Sequence, residues 1–186
     1  PAIDFTMADQ AYRMPMPGGY CRPRVIPVAA RGEATGSNGD VIAKPIYLQL
    51  CNERGISLGD QDFIYFKYLK SRQVDFTDRR DFITSNAPAM QDEAFIKWLE
   101  SDEVLGRAED KTEQQTGAKI QLDAQAQPLG HDDTCIYNGA RLTAVSAKPK
   151  SKDTILVVTC ITMIDRNLVM VDIASHSKRG LGYPVL

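Results

Sequence analysis

The sequence predicts an α+β fold, an antiparallel β-sheet ending in a C-terminal meander with helices packed on it. Three observations predict it. From Cys135 onward, the runs Cys135 to Ala147, Thr154 to Ile164 and Leu168 to Ser175 are rich in β-branched and apolar residues and are separated by short polar turns. Between Asn86 and Gly117, Met90, Ala94, Trp98 and Leu105 recur at helical spacing. Phe63 to Leu69 is dense in aromatics, which suit a pleated surface.

Taken in order, Tyr12 to Tyr20 reads as an extended edge segment turning at Gly18-Gly19, its prolines confining it to an edge. Val25 to Ala30 is expected as a second short strand interrupted by Pro27, and Arg31 to Gly39 as a loop. Asp40 is expected to cap a helix carrying Ile42, Ile46, Leu50 and Cys51 on one face, with Gly55 as its stop. Pro45 must then lie in the first turn, where a missing N–H costs little. Phe63 to Leu69 follows as a strand, and Val74 to Thr84 is ambiguous between helix and loop. Asn86 before Pro88 reads as a helix start, with a break near Ser101-Asp102 and a stop at Gly117. Ala118 to Asp123 alternates as a strand. Lys148 to Asp153 and Asp165 to Asn167 are the meander's turns, and Asn138-Gly139 reads as a bulge.

Composition bounds the function. The 186 residues suit a single domain, 1–186, since domains run at roughly 100–200 residues. Hydrophobic residues make up 43% and charged residues 25%, a globular balance that argues against disorder. The 22 basic and 24 acidic side chains leave a net charge of -2, without the basic excess that phosphate neutralisation requires of a nucleic-acid binder. Ile155 to Ile164 is the longest apolar stretch, shorter than the roughly 18 residues of a membrane span. Numbering from Pro1 suggests a processed chain whose leader has been left out.

The four cysteines, Cys21, Cys51, Cys135 and Cys160, show no C-x-x-C spacing, which lowers the zinc and thioredoxin readings. They fit two disulfides in an oxidising compartment. Four cysteines allow three connectivities, of which Cys21 with Cys51 and Cys135 with Cys160 join neighbours in the element order. A periplasmic or secreted location follows as the expectation.

The segment Gly130-His-Asp-Asp-Thr-Cys135 places an imidazole, two carboxylates and a thiol close together. His131 could activate Cys135 as a nucleophile, with Asp132 or Asp133 orienting the ring. Against this stand a ready disulfide partner in Cys160 and the turn preference of Asp. His131 with His176, the only two histidines, could instead hold a metal if the meander brought them together. Asp75 to Phe82, with Lys67, Lys70 and Arg72 before it, interleaves aromatics with bases, but its acids cancel its bases and predict an ion-paired surface. No P-loop, dinucleotide fingerprint, nucleophile elbow or zincin motif occurs, and no cofactor is implied.

The element order, with the stretch Thr154-Ile-Leu-Val-Val-Thr-Cys-Ile-Thr-Met-Ile-Asp-Arg-Asn-Leu-Val-Met-Val-Asp-Ile-Ala174 as a late hairpin, resembles the PsbP/Mog1-like α+β sandwich. The resemblance implies a fold; that group hosts unrelated roles and implies no activity. The expected function is therefore a non-enzymatic exported protein that binds a protein or cell-envelope partner. The alternatives are a hydrolase or transferase using His131, Asp133 and Cys135, and a small-ligand carrier with a pocket lined by Trp98, Phe63, Phe66 and Tyr68.

Overall fold

The computed structural model describes residues 1–27, 32–35, 40–52, 62–70, 73–147 and 150–176. The expected glycine-rich loop at 36–39, the stop at Gly55, Arg72, residues 148–149 of the expected turn and the last ten residues lie outside the described set.

Antiparallel sheet dominates. β1 (Ala2–Met7) and β2 (Gln10–Pro15) form a hairpin of their own. The other strands form one sheet: β3 (Tyr20–Cys21), β4 (Glu33–Thr35), β5 (Val41–Leu50), β6 (Asp62–Leu69), β7 (Ile120–His131), β8 (Ile136–Ala147), β9 (Lys150–Ile164) and β10 (Asn167–His176). Their spatial order is β3-β5-β6-β10-β9-β8-β7, with β4 pairing the other end of β5. Three helices, α1 (Arg79–Met90), α2 (Glu93–Leu99) and α3 (Asp102–Thr116), enter between β6 and β7.

Alternate residues of β10 show how the layers are built. Val169 and Val171 point to one face and join Ile46, Leu48, Phe66 and Tyr68 beneath the β1–β2 hairpin, whose Ile3 and Met7 are fully buried. Leu168 and Met170 point to the other face and join Ile136, Ile161 and Met163 beneath Phe82, Ile83 and Ala87 of α1. The period of two thus assigns the same strand to two separate cores.

The helix expected at Asp40 is strand β5. A bulge between Ala43 and Ile46 inserts one extra residue, so Ala43 and Ile46 face the same way although three apart. A spacing of four puts Ile46 and Leu50 on one face of a strand as well as of a helix, while the bulge turns Ile42 to the other face and accommodates Pro45. The order of elements on which the PsbP/Mog1-like resemblance rests changes at this point. Val25 to Pro27 is not a strand, and Val25 is exposed; residues 28–30 lie outside the described set.

The helix start expected at Asn86 moves back to Asp78, whose carboxylate accepts from Arg80 N at 2.8 Å and Asp81 N at 3.1 Å. Asn86 and Pro88 fall inside α1. Pro88 lacks the N–H that would bond back to residue 84, and the helix ends two residues later, at Met90. The break at Ser101-Asp102 separates α2 from α3, and Gly117, with φ of 71°, closes α3 in the left-handed region. The bulge expected at Asn138-Gly139 lies across the ladder instead, between Pro128 and Gly130 of β7. Asn138 is buried, and its amide donates to Met90 O at the end of α1.

The β9–β10 turn carries Asp165 and Arg166 at φ of 46° and 65°, the mirror-image turn that matches strand twist. Tyr12 of the hairpin donates its hydroxyl to Asp165 Oδ2 at 2.8 Å. Burial first, then the hydrogen bond and charge of Asp165, push the Tyr12 pKa up to about 12. A raised phenol pKa gives a contribution that is intact below the ordinary value of 10.0 and is lost as pH rises to about 12. Alkaline unfolding should therefore weaken the parent between these values, and Tyr12→Phe should flatten that part of the stability profile. Tyrosinate absorbance should also lose its latest-titrating component in the variant.

Candidate functional site

Cys135 is disulfide-bonded to Cys160, with Cα atoms 5.3 Å apart, and Cys21 is bonded to Cys51 across 5.9 Å. A bonded sulfur is no nucleophile, and with the Cys135–Cys160 bond formed Cys135 offers no thiol to the Gly130–Cys135 segment. Asp132 is a turn-former: its Oδ1 accepts from Thr134 N at 2.7 Å and Cys135 N at 2.8 Å, and its Oδ2 from the Tyr137 hydroxyl at 3.0 Å. The N–H groups of Cys135 and then Thr134 hold its carboxyl below the usual range. Asp133 pairs with Arg80 at 3.4 Å. His131 is exposed at the end of β7.

The two histidines do not converge. His131 shares a row with Ile136, Ile161 and Met170, whereas His176 lies six residues farther along β10. Across three strand spacings this separates them by roughly 25 Å in a flat sheet. Among the described residues no group of three His, Cys, Asp or Glu side chains is placed to hold a metal. The basic and aromatic cluster is ion-paired: Lys67 with Asp172, Lys70 with Glu33 at 2.7 Å, and Arg166 with Asp75 at 3.8 Å.

What the fold does build is a cavity of about 320 Å³ on the helix-bearing face of the sheet. Phe63 and Tyr65 reach it because alternate residues of β6 face opposite sides. For the same reason Phe66 and Tyr68 turn away into the core beneath the hairpin. Tyr47 is aligned with Tyr65 across β5 and β6, and the three rings form one wall, with centroids 4.8 to 5.8 Å apart. The Tyr47 hydroxyl accepts from buried Gln49 at 2.9 Å, which fixes the ring.

Leu122, Leu142, Ala144 and Ile155 form the opposite wall. Leu122 on β7 and Tyr47 on β5 are five strand spacings apart, about 24 Å if the sheet were flat. Both line one small cavity, so the sheet curls around it. At its margin His176 Nε2 stands 3.0 Å from Asp153 Oδ2, with side-chain exposures of 19% and 46%. Among the described residues, no lysine or arginine lines the cavity.

Of the four residues expected to line a pocket, only Phe63 does. Trp98 lies 41% exposed on α2 against Phe95. Sequence reasoning misses Tyr47, because the spacing of Ile42, Ile46 and Leu50 predicts a helix where β5 runs. It also misses Leu122, Leu142 and Ile155, which only the pairing of distant strands places together. The alternation of Phe63 and Tyr65 against Phe66 and Tyr68 was the signal that could have separated wall from core.

No helix among the described residues is long and apolar enough to cross a membrane. No protein-family model, no curated protein and no solved structure matches the chain.

Proposed function

We propose that this chain is a non-catalytic binding protein of an oxidising compartment that takes a small apolar ligand lacking an acidic group. The carrying observation is the wall of Tyr47, Phe63 and Tyr65 facing an apolar wall across a cavity of about 320 Å³. A mostly apolar concavity with a few polar groups at its margin is the usual form of a small-molecule site. Asp153, beside His176, is the carboxylate at that margin, and among the described residues no lysine or arginine accompanies it. An acidic ligand would bring a second negative charge beside it, while a neutral or cationic ligand meets ring faces and one carboxylate. The two disulfides favour export, because such bonds persist in oxidising environments. The disulfides bear on export and not on binding of a protein or cell-envelope partner, whereas ligand binding has the cavity as its support.

The test is a ligand-observed NMR titration with indole, benzylamine and benzoate against the parent and Ala144→Phe, whose added ring fills the cavity. Indole and benzylamine should bind the parent, benzoate at least tenfold more weakly, and none should bind the variant once circular dichroism shows it folded. Absence of binding by all three probes, or undiminished binding by Ala144→Phe, would defeat the reading.

A further inference from the structure

Among the described residues, strand β7 is the outer strand at one side of the sheet and pairs with β8. Such an edge presents a row of backbone donors and acceptors, a template on which another strand can add. In an antiparallel pair alternate residues turn these groups outward. In β7 the outward set is Ile120, Leu122, Ala124, Ala126 and Pro128, since Leu122 N and Ala126 N bond outside the sheet.

The chain blunts this edge at three of those five positions. Glu109 of α3 accepts from Leu122 N at 2.6 Å. Glu100, the residue that closes α2, accepts from Ala126 N at 2.6 Å. Pro128 has no N–H to offer. The break between α2 and α3 lets two carboxylates nine positions apart in sequence reach donors four residues apart on one strand. Both helices pack on β7, so the carboxylates are delivered from a supported layer.

We propose that Glu100 and Glu109 hold the β7 edge closed against a second copy of the chain, and that the pairing they suppress is antiparallel β7 on β7 centred on Ala124. In that register Leu122 meets Ala126, Asp123 meets Gln125 and Gln121 meets Gln127, with no like charges opposed. Outward residues also face outward residues, as a hydrogen-bonded ladder requires. Each copy has four outward donors, at 120, 122, 124 and 126, and the glutamates occupy two of them. The guards therefore remove half of the ladder.

Sedimentation velocity across a concentration series of the whole chain tests this with Glu100→Ala/Glu109→Ala, the parent and Glu100→Gln/Glu109→Gln. The alanine pair should self-associate at least tenfold more tightly than the parent. The glutamine pair, which keeps a side-chain carbonyl to accept the same N–H groups, should behave as the parent does. Adding Ala124→Pro to the alanine pair should abolish the gain by removing the central donor. An alanine pair that is folded and associates no more than the parent overturns the proposal. So does equal association of the glutamine pair, which would make charge rather than capping the barrier. Hydrogen exchange on the parent keeps the proposal testable if the variants misfold. Leu122 and Ala126 amides should exchange at least tenfold more slowly than Ala124, and equal rates overturn the capping.

Discussion

Replacing Cys135 and Cys160 together by alanine is expected to lower the unfolding free energy by about 3 kcal/mol, from the loop-closure entropy that a bond of this span removes from the unfolded chain. The bond spans 25 positions and ties the entrance of β8 to the middle of β9. In a chain of this length the loss corresponds to a fall in Tm of roughly 6–12 °C, read by calorimetry. The Cys21–Cys51 bond spans 30 positions and has a similar entropic value. It anchors β3, a strand of two residues at the other side of the sheet, so its loss should free the N-terminal segment while the β7–β10 meander keeps its exchange protection. An unchanged Tm in the Cys135/Cys160 variant would show that strand pairing already supplies the constraint.

Ile136→Ala should cost about 3–4 kcal/mol, near the middle of the range for fully buried aliphatic truncations. Ile136 is 0% exposed and sits beneath α1 in the cluster with Phe82, Ile83 and Met163, where a cavity would be walled by elements on all sides. Ile173→Ala is the control: Ile173 is 49% exposed, and its loss should fall within about 0.5 kcal/mol. Urea unfolding of the two variants should separate them by a shift in midpoint at unchanged slope. Ile136 follows Cys135 in the chain, so this variant combined with loss of the disulfide should be non-additive.

Much of the fold was legible because local pattern and tertiary outcome agree. The meander strands are long, β-branched and bounded by polar turns, and β8, β9 and β10 follow those runs. Gly117 ends α3 because the left-handed region favours glycine. The hairpin turn at Ala8 and Asp9 takes positive φ at both residues without glycine, and so left no turn signal. At β5 the local pattern misleads, since Ile42, Ile46 and Leu50, four apart, fit a helix face, and the bulge at Lys44 and Pro45 breaks the alternation that would mark a strand. At Asn86-Pro88 a plausible cap is overridden by Asp78, which satisfies two N–H groups earlier in the chain.

The candidate site was much less legible. Local clustering drew attention to His131, Asp132, Asp133 and Cys135, yet Asp132 secures a turn, Asp133 an ion pair and Cys135 a disulfide, while His131 is exposed. The cavity draws instead on Tyr47, Tyr65, Leu122 and Ile155, which are far apart in sequence and carry no motif.

By itself the sequence determined an α+β chain with a late antiparallel meander, a broken helical segment and no basic excess. These properties are written in periods of two and 3.6 and in composition, which need no distant partner to be read. The tertiary structure decided which of two faces each strand gives to which core, how far the sheet curls, and which walls meet across the cavity. It also decided that carboxylates of α2 and α3 reach the backbone of β7. These outcomes depend on strand register and sheet curvature, where a shift of one residue turns every side chain to the other face.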